Sequence, residues 1–357
     1  MAVISALTSV HARTTHGLAG LRAAAGDLDT LALRCGAPAS MYSAALLGWF
    51  EARPDWAPVL VRLEDSGGLR AAAVLAGRRQ RGVWRLSRSG TPGEPYAFLL
   101  DAPDLAEPLA TALHAALLRS PGRWWKLLLA DLPAPDPVTD ALARRLPAVD
   151  RAVFEDGPEL VFEPGRSGNH YLSRNTRAAA AKARNRIAKA GHRLELVWLQ
   201  EPAAVRDELA DISRIRSERN CQLQRGAEDP AELTTFGETI RRQAEAGRVR
   251  LLLARIDGAV AAYAVCFFAG SSLWVYSNNV NPEFTRFSAG TIANAEVVRY
   301  AQAEPGIVVL RWGRGLQRYK LSGPVRLARS QSLTAWSSPS TRWLLHAGRT
   351  LRRALHR

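Results

Sequence analysis

RVRLLLARIDGAVAAYAVCFFAGSSLWVYS, residues 248–277, is the stretch whose reading decides the fold. Three runs rich in Val, Leu, Ile, Phe, Tyr and Trp, at 248–256, 259–268 and 273–277, are separated by Asp257-Gly258 and by a turn around Gly270. Runs of that length between Gly-containing turns predict an antiparallel meander. A fainter version occupies 59–63 and 69–76, with a Gly-containing turn at 64–68 and a third strand beginning at 83–86. Helical segments precede each meander, at 40–52 in the first case and at 203–219 and 230–246 in the second. A helix and a strand follow each: 104–119 and 125–129, then 289–302 and 307–311. The 357 residues suffice for two domains, and the shared order predicts an internal duplication of a mixed α/β (α+β) unit.

The longest helical candidate, YLSRNTRAAAAKARNRIAKA at 171–190, lies between the halves. Asn169 or Ser167 is the expected cap and Gly191 the expected left-handed stop. Ala179, Ala183, Ile187 and Ala190 form the expected apolar stripe, with Lys182, Arg186, Lys189 and Arg193 on another face. A basic amphipathic helix is expected at the C-terminal end, 343–357.

The net charge of +15 is concentrated. Residues 164–193 hold eight Lys or Arg and residues 305–357 hold eleven, neither with any acid, so the rest of the chain is slightly acidic. Two such stretches point to a phosphate-bearing partner: a nucleotide cofactor, an RNA or an anionic membrane surface. No apolar run approaches the roughly eighteen residues of a membrane span, and the N-terminus lacks a charged start followed by a long apolar run. The expectation is a cytoplasmic protein without stable membrane insertion. Cys35, Cys221 and Cys266 are too scattered for a disulfide framework or a zinc site and are expected to be buried thiols, and no metal is expected. HExxH, GxxxxGK[ST] and GxSxG are all missing, which sets hydrolase and NTPase readings well behind.

In IVVLRWGRGLQRYK, residues 307–320, an apolar run leads into Gly313 and Gly315, and then Tyr319 and Lys320. Glycines allow close backbone approach to a ligand, and a lysine just past a strand end is a candidate electrophile. RFSAGT, residues 286–291, precedes a helix whose first amides, helped by Gly290, suit a phosphate or carboxylate; Ser288 as a plain helix cap fits equally.

YLSRNTRAAAAKARNRIAKAG from Tyr171, LARIDGAVAAYAVCFF from Leu253, and RFSAGTIANAEVVRYA leading into WGRGLQRYK together resemble the GNAT-like acyltransferases grouped around bacterial cellulose biosynthesis. That group is related to the Fem peptidyl transferases, and the similarity covers roughly 27–336. The resemblance implies a tandem pair of GNAT folds, each a mixed, mostly antiparallel central sheet flanked by helices. The implied domains are 1–163, 164–338 with the active site, and a basic C-terminal helix at 339–357. Family members often carry acids where this chain has Arg311 and Gln317.

By resemblance, Lys320 stabilises the tetrahedral intermediate of acyl transfer and Tyr319 shapes the pocket. Donor binding falls to Arg286, Ser288, Gly290, Thr291, Gly313, Arg314 and Gly315. Trp274, Tyr276 and Asn278, alternating along one side of the third meander strand, are candidates for the acceptor pocket. A general base, if the protein supplies one, comes from upstream, with Glu218, Glu238 and Glu296 as candidates. The expected reaction moves an acyl group from acyl-CoA or a similar thioester to a small primary amine, with no permanently bound cofactor. One alternative takes aminoacyl-tRNA as donor, Arg174, Arg177, Lys182, Arg186 and Lys189 tracking the tRNA phosphates. Another is an inactive GNAT-fold module that binds RNA or an anionic membrane.

Overall fold

Residues 10–80, 82–90, 94–119, 124–166, 169–223 and 230–343 are described by the computed structural model. They fall into two units: the described residues up to Ala37, Met41–Phe154 and those from Arg329 on, and Pro38–Ser40 with Glu155–Ala328. The sequence reading placed its boundary at 163/164; the division falls earlier, inside a strand.

The first unit contains β1 (His11–His16), α1 (Leu18–Ala23), α2 (Ala25–Arg34), α3 (Ser43–Glu51), β2 (Ala57–Asp65), β3 (Gly68–Gln80) and β4 (Val83–Arg88). It continues through β5 (Leu99–Leu100), α4 (Ala106–Arg119), β6 (Trp124–Pro133), α5 (Pro137–Arg145) and the start of β7 (Ala148–Val161). The meander β2–β3–β4 is antiparallel, and after α4 the chain returns as β6, parallel to β4.

The second unit runs from the end of β7 through α6 (Arg174–Lys189), β8 (Leu194–Leu199), α7 (Pro202–Asp207), α8 (Leu209–Gln222) and α9 (Pro230–Glu245). It then forms β9 (Val249–Ile256), β10 (Ala259–Ala269), β11 (Ser272–Val280), α10 (Ala289–Ala303), β12 (Val309–Arg311) and the start of β13 (Arg326–Trp336). Here too an antiparallel meander, β9–β10–β11, is followed by a helix and a strand parallel to its last member, β12 on β11. The duplication expected from sequence is therefore present as topology. In the first unit the strand antiparallel to β6 is β13; in the second, the strand antiparallel to β12 is β7.

The chemistry of the turns explains the meander. Asp257 and Gly258 both have positive φ, 49° and 86°, as a two-residue turn matched to strand twist requires. Leu252, Ala264, Cys266 and Leu273 of the sheet pack with Ile292, Ala295 and Val298 of α10 and with Leu310 and Trp312 in one buried core. Burial raises the Cys266 thiol's pKa, but Cys35 is half-buried and Cys221 exposed, so the expectation of three buried thiols holds for one.

Two helix expectations change. The helix at 171–190 starts at Arg174 and is capped by Ser173, whose Oγ accepts from the Thr176 amide at 3.1 Å. Tyr171 and Leu172 precede it as buried anchors, and the buried stripe is Ala180, Ala183 and Ile187, with Ala179 and Ala190 exposed. Gly191 ends it with φ 77°, as expected. The helix expected at 203–219 breaks at Glu208, whose carboxylate binds Arg255 at 2.5 Å. The C-terminal helix, like Ser167, falls almost wholly outside the described residues. Among the described residues, no helix is long and apolar enough to cross a membrane.

Candidate active site

A cavity of about 540 Å³ lies within the second unit, walled by α8, the start of α10, the end of β11 and the turn that carries Tyr319. A bulge shapes its floor. Val265 pairs with Ser277 but Cys266 with Val275, so Tyr276 is an extra residue in β11. The simple alternation expected for Trp274, Tyr276 and Asn278 is lost there. Tyr276 stacks between Phe267 and Phe236 at centroid distances of 4.5 and 5.8 Å, and Trp274 lies under the Arg311 guanidinium at 4.7 Å. Only Asn278 of the three reaches the cavity, joined by Ser277 and Asn279.

These polar groups are linked. The Tyr319 hydroxyl donates to Asn278 Oδ1 at 3.2 Å, and Asn278 Nδ2 donates to Asn294 Oδ1 at 2.8 Å. Asn279 Nδ2 donates to the Tyr263 hydroxyl at 3.0 Å, which shares a 3.1 Å hydrogen bond with Ser277 Oγ.

The start of α10 forms another wall. Ser288 sits in the left-handed region at φ 57° and makes no side-chain cap bond, so it is not the plain helix cap that the sequence allowed. Its Oγ instead accepts from Arg186 at 3.3 Å, and the same guanidinium nitrogen donates to the Arg286 carbonyl at 2.7 Å. Gly290 is required here, because a Cβ at that position would stand 2.4 Å from Val280 Cγ2. With Thr291 it brings the positive end of the helix dipole to the cavity.

The loop after β12 is held from two sides. The Gly315 amide donates to the Asp156 carbonyl at 2.7 Å, and Arg314 Nε reaches both Asp156 carboxylate oxygens at 3.1 and 2.9 Å. Lys320, only 7% exposed, sits on a short 3₁₀ turn, Arg318–Leu321, and its Nζ donates to the Arg314 carbonyl at 2.7 Å. Burial pushes its pKa down to about 8, against an opposing pull from Asp156. Glu159, also on β7 and 3% exposed, binds Arg311 in a very short contact and Arg326 at 2.9 Å.

The fold thus gathers Ser288, Gly290, Thr291, Asn278 and Tyr319 on one cavity, with Gln317 beside them. It does not bring the rest to that wall. Gly313, Arg314, Gly315 and Lys320 form the braced loop behind Tyr319, and the Arg286 guanidinium lies over Phe287 at 4.7 Å. On α6, Arg174, Lys182 and Lys189 are exposed, while Arg177 binds the Asn169 carbonyl at 2.9 Å and Arg186 holds the α10 start. The three upstream acids are in ion pairs: Glu218 with Arg214 at 3.0 Å, Glu238 with Arg241 at 2.6 Å, and Glu296 with Arg299 at 3.5 Å. Sequence reasoning passed over Arg216, Arg219 and Asn294 on the wall and Asp156 and Glu159 behind it. The i,i+3 spacing of Arg216 and Arg219 was the available signal for the first pair. No group of three His, Cys, Asp or Glu side chains among the described residues is placed to hold a metal.

Residues 174–321 match the family described as an acetyltransferase (GNAT) domain. The second unit carries a GNAT domain. That match supports an N-acyltransferase activity for the domain it covers. The cavity lies inside this GNAT domain, and its α10 start and bulged strand are parts of it. Among solved structures, FemX is similar with a TM-score of 0.61 at 11% identity, covering 89% of this chain and 96% of its own. A conserved protein of unknown function from Bacteroides thetaiotaomicron is similar at 0.55 and 12% identity, over 88% of this chain and 97% of that one. The C-terminal domain of a putative lysylphosphatidylglycerol synthetase from Agrobacterium fabrum is similar at 0.50 and 15%, over 93% and 96%. These likenesses show the fold. No curated protein matches the sequence.

Proposed function

We propose that the GNAT domain forms an amide by moving an acyl group from acyl-CoA, or a similar thioester, to a primary amine in this cavity. The observation that carries the reading is one wall combining the α10 start at Ser288, Gly290 and Thr291 with the Asn278–Tyr319 pair. The helix start offers amides and dipole to the donor's phosphates. The amine nitrogen attacks the thioester carbonyl, the C–N bond forms and the C–S bond breaks, and the Tyr319 hydroxyl gives its proton to the departing thiolate.

Lys320 supports the developing oxyanion from behind the wall in this reading, one residue along from Tyr319, as a positive charge in a partly dry setting. Among the described residues lining the cavity there is no carboxylate, and in this reading the amine proton leaves to water or to the substrate itself. Gly313, Arg314 and Gly315 keep the loop in place rather than touching the donor. The test is mass spectrometry of the protein incubated with pooled acyl-CoAs and candidate amines. An amide product that requires a CoA thioester supports the reading, and donors left intact with every amine count against it.

A second reading changes the donor to aminoacyl-tRNA. The exposed Arg174, Lys182 and Lys189 on α6 favour it, as a cationic face beside the same domain. Charged tRNA in place of acyl-CoA tests it: binding that falls steeply with salt, together with transfer, supports it, and indifference to salt removes it. If neither donor is consumed but RNA or anionic vesicles bind, the domain is a binding module.

A further inference from the structure

Asn294 lies one turn along α10 from Gly290, on the same face of the helix, and both residues line the cavity. Its side-chain oxygen accepts from Asn278 Nδ2 at 2.8 Å, while Asn278 Oδ1 accepts from the Tyr319 hydroxyl at 3.2 Å. A carboxamide has two unlike sides, an acceptor oxygen and a doubly donating nitrogen, so the group that takes the N–H side turns the oxygen the other way. With Asn294 Oδ1 on the N–H side, Asn278 offers Tyr319 an acceptor, and the Tyr319 hydroxyl meets it as a donor.

That polarity suits an acid. A neutral carbonyl oxygen holds the hydroxyl hydrogen without taking the proton, and a thiolate, being charged, is the stronger acceptor and draws it away. An amide turned the other way would present N–H to the Tyr319 oxygen, the arrangement that suits a tyrosine already stripped of its proton. Resting on the acyl-transfer reading, we propose that Asn294 is a positioning residue: by occupying Asn278 Nδ2 it holds the Asn278 carbonyl toward Tyr319 and keeps the hydroxyl loaded as the acid for the departing thiolate. In that step the C–S bond breaks, the sulfur takes the Tyr319 proton, and the tyrosine regains one from water. Asn294 stands on the helix whose start receives the donor's phosphates in that reading, so a single element aligns the donor and the acid that serves it.

Steady-state kinetics with an amine and a phosphate-free pantetheine thioester test this, because such a donor has no phosphate for an added negative charge to repel. Asn294→Leu, similar in size and a good helix former, is expected to lower kcat about 10-fold or more with both KM values within about 2-fold of wild type. Asn294→Asp keeps the accepting oxygen and is expected to recover most of that loss. In an Asn278→Ala background, Asn294→Leu is expected to cost nothing further, because the path to Tyr319 is already cut. An unchanged kcat in Asn294→Leu, an equally slow Asn294→Asp, or the full loss repeated in the Asn278→Ala background overturns the proposal. Thermal melting checks folding, and Asn294→Ala replaces Asn294→Leu if the latter melts early. If wild type acylates no amine, the acyl-transfer reading fails separately, and the carbon NMR signal of the Tyr319 ring Cζ, assigned through Tyr319→Phe, decides the positioning claim. It is expected to move more in Asn294→Leu than in Asn294→Asp; equal movement, or none, ends the claim.

Discussion

Lys320 Nζ donates to the backbone carbonyl of Arg314 at 2.7 Å, so the buried lysine closes a brace whose other end is the Asp156 carboxylate on the Arg314 guanidinium. The brace fixes the turn that holds Tyr319 against Asn278. Lys320→Met keeps the stem and removes the charge. It is expected to cut amide formation by about 10-fold or more, through the lost charge and the loosened turn.

The same lysine sets a pH dependence of stability. Its folded pKa, about 8, lies below the ordinary 10.5, so between those values the unfolded chain holds a proton that the folded chain has released. Stability contributed at this position therefore rises with pH from about 8 to 10.5 and is flat below. Urea unfolding of wild type and Lys320→Met across pH 7 to 10.5 is expected to show the wild type gaining on the variant over that window. A constant difference contradicts the assignment.

Asp156→Asn breaks the other end of the brace. Loss of a charged hydrogen-bonded pair of this partly buried kind is expected to cost about 1–3 kcal/mol in urea unfolding. It also removes the charge that holds the Lys320 pKa up, so that pKa is expected to fall further. An unchanged lysine titration, followed by NMR of the side chain, contradicts the coupling.

Gly290→Ala puts a Cβ 2.4 Å from Val280 Cγ2, and a β-branched side chain in a strand has little room to turn away. A loss of about 1–3 kcal/mol is expected. Val280→Ala in the same chain is expected to recover most of it, measured as midpoints of urea unfolding.

The meander at 248–277 was legible because its apolar runs and the Asp257-Gly258 turn are local signals, and the fainter one at 59–86 followed from its likeness to it. β1, β7, β8 and β13 were not read. β7, AVDRAVFEDGPELV, alternates poorly and is acidic, and its place is set by ladder partners far along the chain. Missing β7 meant missing Asp156 and Glu159, which stand opposite the basic 305–328 stretch whose own sequence holds no acid. The α10 start was legible from RFSAGT and Tyr319 from its place beside Lys320. The displacement of Tyr276 from the cavity was not, because a bulge depends on pairing register, which a single strand's sequence does not state. Arg216 and Arg219 were passed over, because their place on the cavity wall depends on α8 packing beside the end of β11.

The rate of amide formation by wild type and by Asn278→Ala/Tyr319→Phe, followed by mass spectrometry with acyl-CoA and amine in excess, is the most direct test of the cavity as the acyl-transfer site. The account predicts a loss of about 100-fold or more in the double variant with melting little changed. Equal rates would contradict it.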